Sequence, residues 1–150
     1  MDIEKLLKLL KENNVKYVII GATAFPYYGY MRATMDVDIF IEPTEENAQK
    51  CFKALKEFGY DLSDITIEDL LTKKILIRQY ILEIDIHPFV KGISFEEVWK
   101  NKVKSKIGDV EVYFASLDDL IKMKKAVNRP KDIQDLKELL KIKEKLEKQK

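Results

Sequence analysis

Arg32-Ala33-Thr34-Met35-Asp36-Val37-Asp38-Ile39-Phe40-Ile41 alternates carboxylates with apolar side chains in its second half, and the rest of the chain can be placed around that run. Side chains two apart on a strand share a face roughly 7 Å apart, so Asp36 and Asp38 point one way while Val37, Ile39 and Ile41 point into a core. Aspartate is depleted in strands. A pair at this spacing calls for a wet sheet face or for a divalent cation that offsets the repulsion.

Upstream, Val15 to Ile20 reads as a buried strand and Gly21 as the turn after it, followed by a short helix from Ala22 to Tyr28 that Pro26 limits. A glycine between a strand and a helix lets backbone approach a ligand closely, and the free N–H groups beyond it can hold a phosphate. Ile3, Leu6, Leu7 and Leu10 recur at helical spacing behind Asp2 as N-cap, and Asn13-Asn14 ends that helix. Downstream, Thr44 caps a helix whose buried face is Ala48, Cys51, Phe52, Leu55 and Phe58 and which Gly59 stops. A short helix near Ile67 to Leu71 precedes strands at Lys74 to Arg78 and Tyr80 to His87, and Phe95 to Lys100 is a helical turn anchored by Trp99. Val103 to Ile107 and Val110 to Phe114 flank Gly108-Asp109, an order that favours a type II′ hairpin turn. Two helices finish the chain, and its Lys/Glu tail from Lys141 is a solvated helix. The fold class is α/β (α+β): a mixed sheet with helices packed on it and a helical C-terminal segment.

Composition narrows the function classes. With 150 residues and 46% hydrophobic content, one domain over 1–150 is expected, its core at about 15–140 and a charged tail at 141–150. Lys plus Arg total 27 against 26 acids, and a net charge of +1 exerts no global pull on polyanions. Any nucleic-acid contact therefore needs a local basic surface. The alternation of Lys102, Lys104 and Lys106 offers one on a candidate strand, although charged edge strands also serve to block aggregation. The single Cys51 forbids an intrachain disulfide and a cysteine-based zinc site. No apolar run approaches the ~18 residues of a membrane span, and Met1-Asp2-Ile3-Glu4-Lys5 does not resemble a basic leader, so a cytoplasmic location is expected.

Asp85 supplies a third acid. Glu83, Asp85 and His87 share one strand face and Leu82, Ile84 and Ile86 the other. If this strand neighbours the first acidic one, three carboxylates converge, as two hard cations about 3.5 to 4 Å apart require in phosphoryl or nucleotidyl transfer. Asp85, flanked by isoleucines, is preferred over Glu83 as the third ligand. His87, the only histidine, is set aside as structural, because a lone histidine at a strand end before Pro88 seldom ligates. Lys124 falls at the centre of the apolar arc Leu117, Leu120, Ile121, Met123 and Val127, so it either snorkels or faces a cleft opposite the acids to neutralise phosphate. Arg129, before Pro130, extends the same positive wall or sits in a solvated turn. Phe25, Tyr27, Tyr28 and Tyr30 offer rings that could stack a base, with core packing the reading for most of them.

Gly21-Ala22-Thr23-Ala24, Gly29, Arg32-Ala33-Thr34, Asp36-Val37-Asp38 and Ile84-Asp85-Ile86, in that order, resemble the small nucleotidyltransferases of the DNA polymerase β superfamily. Ser116 to Lys124, followed by Asn128-Arg129-Pro130-Lys131-Asp132, is similar to the branch of abortive-infection-type toxin nucleotidyltransferases. The resemblance covers about residues 15 to 140. It implies NMP transfer from an NTP such as ATP to an acceptor hydroxyl, with two Mg²⁺ (or Mn²⁺) on Asp36, Asp38 and Asp85. Triphosphate contacts are implied at Gly21, Ala22, Thr23, Arg32, Lys124 and Arg129. An acceptor on tRNA or a protein, and an antitoxin or helical partner protein, are also implied. The family usually has Gly-Gly or Gly-Ser in the turn; here Ala22 lacks both glycine's freedom and a hydroxyl, which Thr23 would have to supply. A degenerate nucleotide- or partner-binding module and a metal-dependent phosphohydrolase are the alternatives.

Overall fold

The structure, a computed structural model, describes residues 2–32, 36–79 and 82–149. Helix α1 (Asp2–Glu12) buries Leu6, Leu7 and Leu10 and gives way to Asn14 in the left-handed region. Asp2 is the first helical residue rather than the cap, so its carboxylate acts on the helix dipole instead of on a free N–H. Strand β1 (Tyr17–Ile20) is buried along its whole length, as a central strand must be. The segment read as one short helix is two 3₁₀ turns, Gly21–Thr23 and Phe25–Tyr28. Pro26 lies in the first turn of the second, where its missing N–H costs nothing.

Strand β2 (Asp36–Ile41) keeps the alternation: Val37, Ile39 and Ile41 are buried while Asp36 and Asp38 are half-buried. Helix α2 (Glu45–Phe58) starts at Thr44, whose side chain accepts from the Asn47 N–H, and ends at Gly59 with φ +113°. Helix α3 (Ile67–Thr72) carries a complete capping box between Thr66 and Asp69. Strand β3 (Ile75–Ile77) is shorter than the expected Lys74–Arg78, and β4 (Glu83–His87) starts later than expected. The expected strand residues Met35 and Tyr80, like Ala33 and Thr34, lie outside the described residues. Helix α4 (Phe95–Asn101) leads into β5 (Val103–Ile107) and β6 (Val110–Phe114), followed by α5 (Leu117–Val127) and α6 (Pro130–Lys148). In the β5–β6 turn Gly108 has φ +59° and Asp109 is not among the positive-φ residues, as a type II′ turn requires.

Among the described residues six strands form one mixed sheet in the order β3-β4-β2-β1-β6-β5. β2 pairs antiparallel with β1 and parallel with β4, and the second pairing brings two distant acidic segments side by side. One register step aligns everything that follows: Asp36 lies opposite Glu83, Asp38 opposite Asp85 and Phe40 opposite His87. The other sheet face, with Ile39, Ile84 and Ile86, is fully buried in the hydrophobic core together with α1 and α2. A shift of β4 by one residue would bury the acids and expose the isoleucines, so burial pins the register.

Two aromatic and lysine expectations resolve at this level. Tyr28 donates to the Ala115 carbonyl at 2.6 Å and Tyr27 stacks on Phe114, so both are packing residues. Lys102 precedes β5 rather than lying in it, and its ammonium sits 4.0 Å from the centroid of Trp99. Lys104 pairs with Glu111 at 3.2 Å. The three-lysine stripe is therefore not a free basic face: two of its members are held by protein groups.

Candidate active site

Gly21 forms the floor of the site. Its φ is +67°, a region costly for residues with a Cβ, and a Cβ there would meet Asp38 Oδ2 at 2.8 Å. Glycine is thus required twice, by the turn and by the close approach of the aspartate. Thr23 ties the same turn to β2: its hydroxyl donates to the Asp36 carbonyl at 3.1 Å and accepts from the Asp38 N–H at 3.4 Å. That hydroxyl is engaged with backbone and braces the strand that carries both acids.

Asp36, Asp38 and Asp85 line one cleft of about 400 Å³, within the range of small-molecule sites. Asp85 is the most buried of the three, its side chain 8% exposed. Burying a carboxylate demands a partner, and Arg78 provides it from the end of β3, with Nη1 at 2.6 Å from Asp85 Oδ1. The same guanidinium reaches Asp36 Oδ2 at 3.4 Å and Glu83 Oε2 at 3.8 Å. Glu83 also shares a hydrogen bond with Asp36, which holds its carboxyl above the usual range. Arg78 thus acts as the resident counter-ion of the acidic row. Sequence reading missed it, yet part of a signal existed: Lys74, Leu76 and Arg78 alternate with Ile75 and Ile77 and so share one strand face, and the structure sets Leu76 of that face opposite Asp85.

His87 also belongs to the site rather than to the scaffold. Its Nε2 lies 2.9 Å from Asp38 Oδ1 and its side chain is 15% exposed. One donor atom from each of Asp38, Asp85 and His87 lies within 4.8 Å of the others. The signal that could have found it is the alternation of Glu83, Asp85 and His87, which outweighs the base rate for a lone histidine.

The opposite wall comes from α5, α6 and the segment after the 3₁₀ turns. Lys124, Arg32 and Arg129 line the cleft together with Gly21 and Ala22. Lys124 does not escape to solvent: Nζ sits 3.0 Å from Asp132 and 3.1 Å from Asp135, with the side chain 14% exposed. Both carboxylates are buried. Arg129 Nε donates to Asp132 at 2.7 Å, Arg32 Nε lies 3.3 Å from Asp135, and the Tyr30 hydroxyl donates to Asp135 at 2.9 Å. Burial pushes the Asp132 carboxyl up, but the hydrogen bonds and charges of Arg129 and Lys124 prevail and bring it down to about 2. Three cations face two carboxylates, which leaves this wall net positive beside the acidic row. Asp132 entered sequence reading only as the last residue of the Asn128 to Asp132 motif, with no role of its own, and Asp135 not at all, because an i, i+3 acid pair on a charged helix looks like ordinary surface.

The arrangement can therefore hold a divalent cation on one side and an anionic group on the other, with a backbone turn between them. Residues 1–146 match the profile of a protein family described as "Nucleotidyltransferase of unknown function (DUF6036)". No curated protein matches the chain.

Proposed function

From a chain that belongs to the nucleotidyltransferase family DUF6036 and sets an acidic row against a basic wall in one cleft, we infer a metal-dependent transfer of NMP from an NTP to an acceptor hydroxyl. The single observation that carries the reading is the β2–β4 register, which sets Asp38 opposite Asp85 with His87 at hydrogen-bond distance from Asp38. The donor set suits a divalent ion: donor atoms of Asp38, Asp85 and His87 lie within 4.8 Å of one another, and a Cβ at position 21 would meet Asp38 Oδ2 at 2.8 Å, so glycine there keeps the Asp38 carboxylate in place. Asp36, Asp38 and Asp85 would hold Mg²⁺, two ions in the full complement. Bound there, the ions supply Lewis-acid stabilisation of charge on the transferring phosphoryl group.

The chain's own residues do the rest. Arg32, Lys124 and Arg129 bind the triphosphate, and the turn at Gly21 and Ala22 brings backbone N–H groups to it. Asp85 accepts the proton of the acceptor hydroxyl once Arg78 releases it. The acceptor oxygen bonds to the α-phosphorus as the bond to the β-phosphate breaks, and pyrophosphate leaves. Positioning and charge neutralisation account for most of the rate. The cleft is open and has few side chains left to enclose a small acceptor, which supports a macromolecular one, a tRNA 3′ end or a protein hydroxyl, as in toxin-type enzymes with an antitoxin partner.

The test is incubation with α-labelled NTPs, Mg²⁺ and total RNA or cell lysate. Label joined to RNA or to a protein, absent for Asp38→Asn, is the expected result. Free NMP alone would make the protein a phosphohydrolase, and no turnover with any NTP would make it a binding module.

A further inference from the structure

Three features of the acidic row are distributed unequally along it. At the Asp36 and Glu83 end, Arg78 lies between the carboxylates. At the middle, Asp85 Oδ1 accepts from Arg78 at 2.6 Å. Asp38, level with Asp85, instead has the imidazole of His87 as its neighbour, 2.9 Å from its Oδ1. That ring is mostly buried, lines the cleft and offers a nitrogen within 4.8 Å of donor oxygens on both Asp38 and Asp85. The β2–β4 register favours this: His87 follows Asp85 two residues on and leaves the strand from the same face.

Ligand chemistry gives this nitrogen a consequence. Mg²⁺ favours near-octahedral oxygen ligands and keeps much of its water, whereas an imidazole nitrogen favours the later divalent transition metals such as Co²⁺ and Zn²⁺; Mn²⁺, itself mainly an oxygen-ligand ion, accepts imidazole more readily than Mg²⁺. We propose that His87 is a direct ligand of the cation held by Asp38 and Asp85, and that the site therefore selects a divalent transition-metal ion over Mg²⁺, with Mn²⁺ serving as its paramagnetic probe. The proposal rests on the assignment of Asp38 and Asp85 as metal ligands and adds the nitrogen donor and the preference.

Because His87 is the only histidine in the chain, any imidazole nitrogen coupled to a bound metal can come from nowhere else. The full chain, free of any histidine tag, is loaded with Mn²⁺ and examined by electron spin echo modulation, unlabelled and with ¹⁵N-histidine. The expected result is modulation from one imidazole nitrogen that changes with the isotope. His87→Gln should remove it, weaken Mn²⁺ binding by about tenfold or more and leave Mg²⁺ affinity nearly unchanged, so that the preference between the ions collapses. The wild-type spectrum needs no variant and stands even if His87→Gln folds poorly. Mn²⁺ bound with no imidazole nitrogen, and lost in Asp38→Asn, would overturn this proposal alone and leave His87 as a hydrogen-bond partner. Mn²⁺ binding unaffected by Asp38→Asn, or no binding at all, would overturn the carboxylate assignment and the proposal with it.

Discussion

At Gly21 the site depends on the absence of a side chain, and at Lys124 on the presence of one. At Gly21 an added methyl group meets both a left-handed backbone and Asp38 Oδ2 at 2.8 Å. Gly21→Ala is therefore expected to cost about 2 kcal/mol in urea unfolding and to abolish transfer, because the aspartate must turn away. Lys124 neutralises two buried carboxylates, so Lys124→Met strips a cation from both Asp132 and Asp135 even though the apolar stem is kept. The expected loss is about 3 kcal/mol of stability together with weakened NTP binding by calorimetry. Unchanged stability would mean that Arg32, Arg129 and Tyr30 suffice for the acids. Helical periodicity singled Lys124 out, since a lysine at the centre of an apolar arc is anomalous. The buried partners that make sense of it are not visible to periodicity.

At the scale of elements, the strands and helices with strong local signals were legible: β1, β2, α2 with its Thr44 cap, and the β5–β6 hairpin at its observed bounds. Local chemistry was weaker where packing decides. The two 3₁₀ turns replace a helix because Gly21 must stay left-handed and the chain must stay close to β2. Strand β3 is three residues long, and Arg78 just beyond it is freed to cross over to the acids. That placement makes the short edge strand a carrier of charge rather than a source of core. Arg78→Gln is expected to lower the midpoint of thermal unfolding without metal, as the acids lose their counter-ion. Metal affinity should rise by about 1 kcal/mol, roughly fivefold, because no internal cation competes. Calorimetric titration with Mn²⁺ checks the sign: weaker binding would show that Arg78 instead holds Asp85 in its ligating pose.

For the molecule as a whole, the acidic constellation was readable in outline because alternation put Asp36, Asp38 and Asp85 on strand faces. The sheet order that joins those faces, with β4 beside β2 rather than only beside β3, is a tertiary outcome that short-range patterns do not encode. The same holds for the network of Asp132 and Asp135, whose members come from three segments. Its pH dependence is testable. Asp132 has a carboxyl lowered to about 2, so its stabilising contribution is present above the ordinary carboxylate range and is lost as pH falls toward 2. Wild type should exceed Asp132→Asn by roughly 2 kcal/mol at pH 7, and urea unfolding should show the gap closing toward pH 2. Glu83 has the opposite sign. Its raised carboxyl favours the folded state at low pH and ceases to do so as pH climbs through it, so Glu83→Gln should gain relative stability toward neutral pH.

Each wall of the cleft already carries its own opposite ion: Arg78 among the acids, and Asp132 and Asp135 among the bases. The cleft is in effect a two-bed ion exchanger charged with covalently tethered ions. A nucleotide entering it displaces fixed carboxylates from cations instead of releasing mobile salt, and a metal displaces a fixed guanidinium. Added salt then has few loosely held ions to replace. Binding of a metal–nucleotide complex should accordingly vary with ionic strength far less than three cleft cations would suggest. Titrations from low to high salt should give a nearly flat slope for wild type and a steeper one for Asp135→Asn, in which one of the tethered anions is gone.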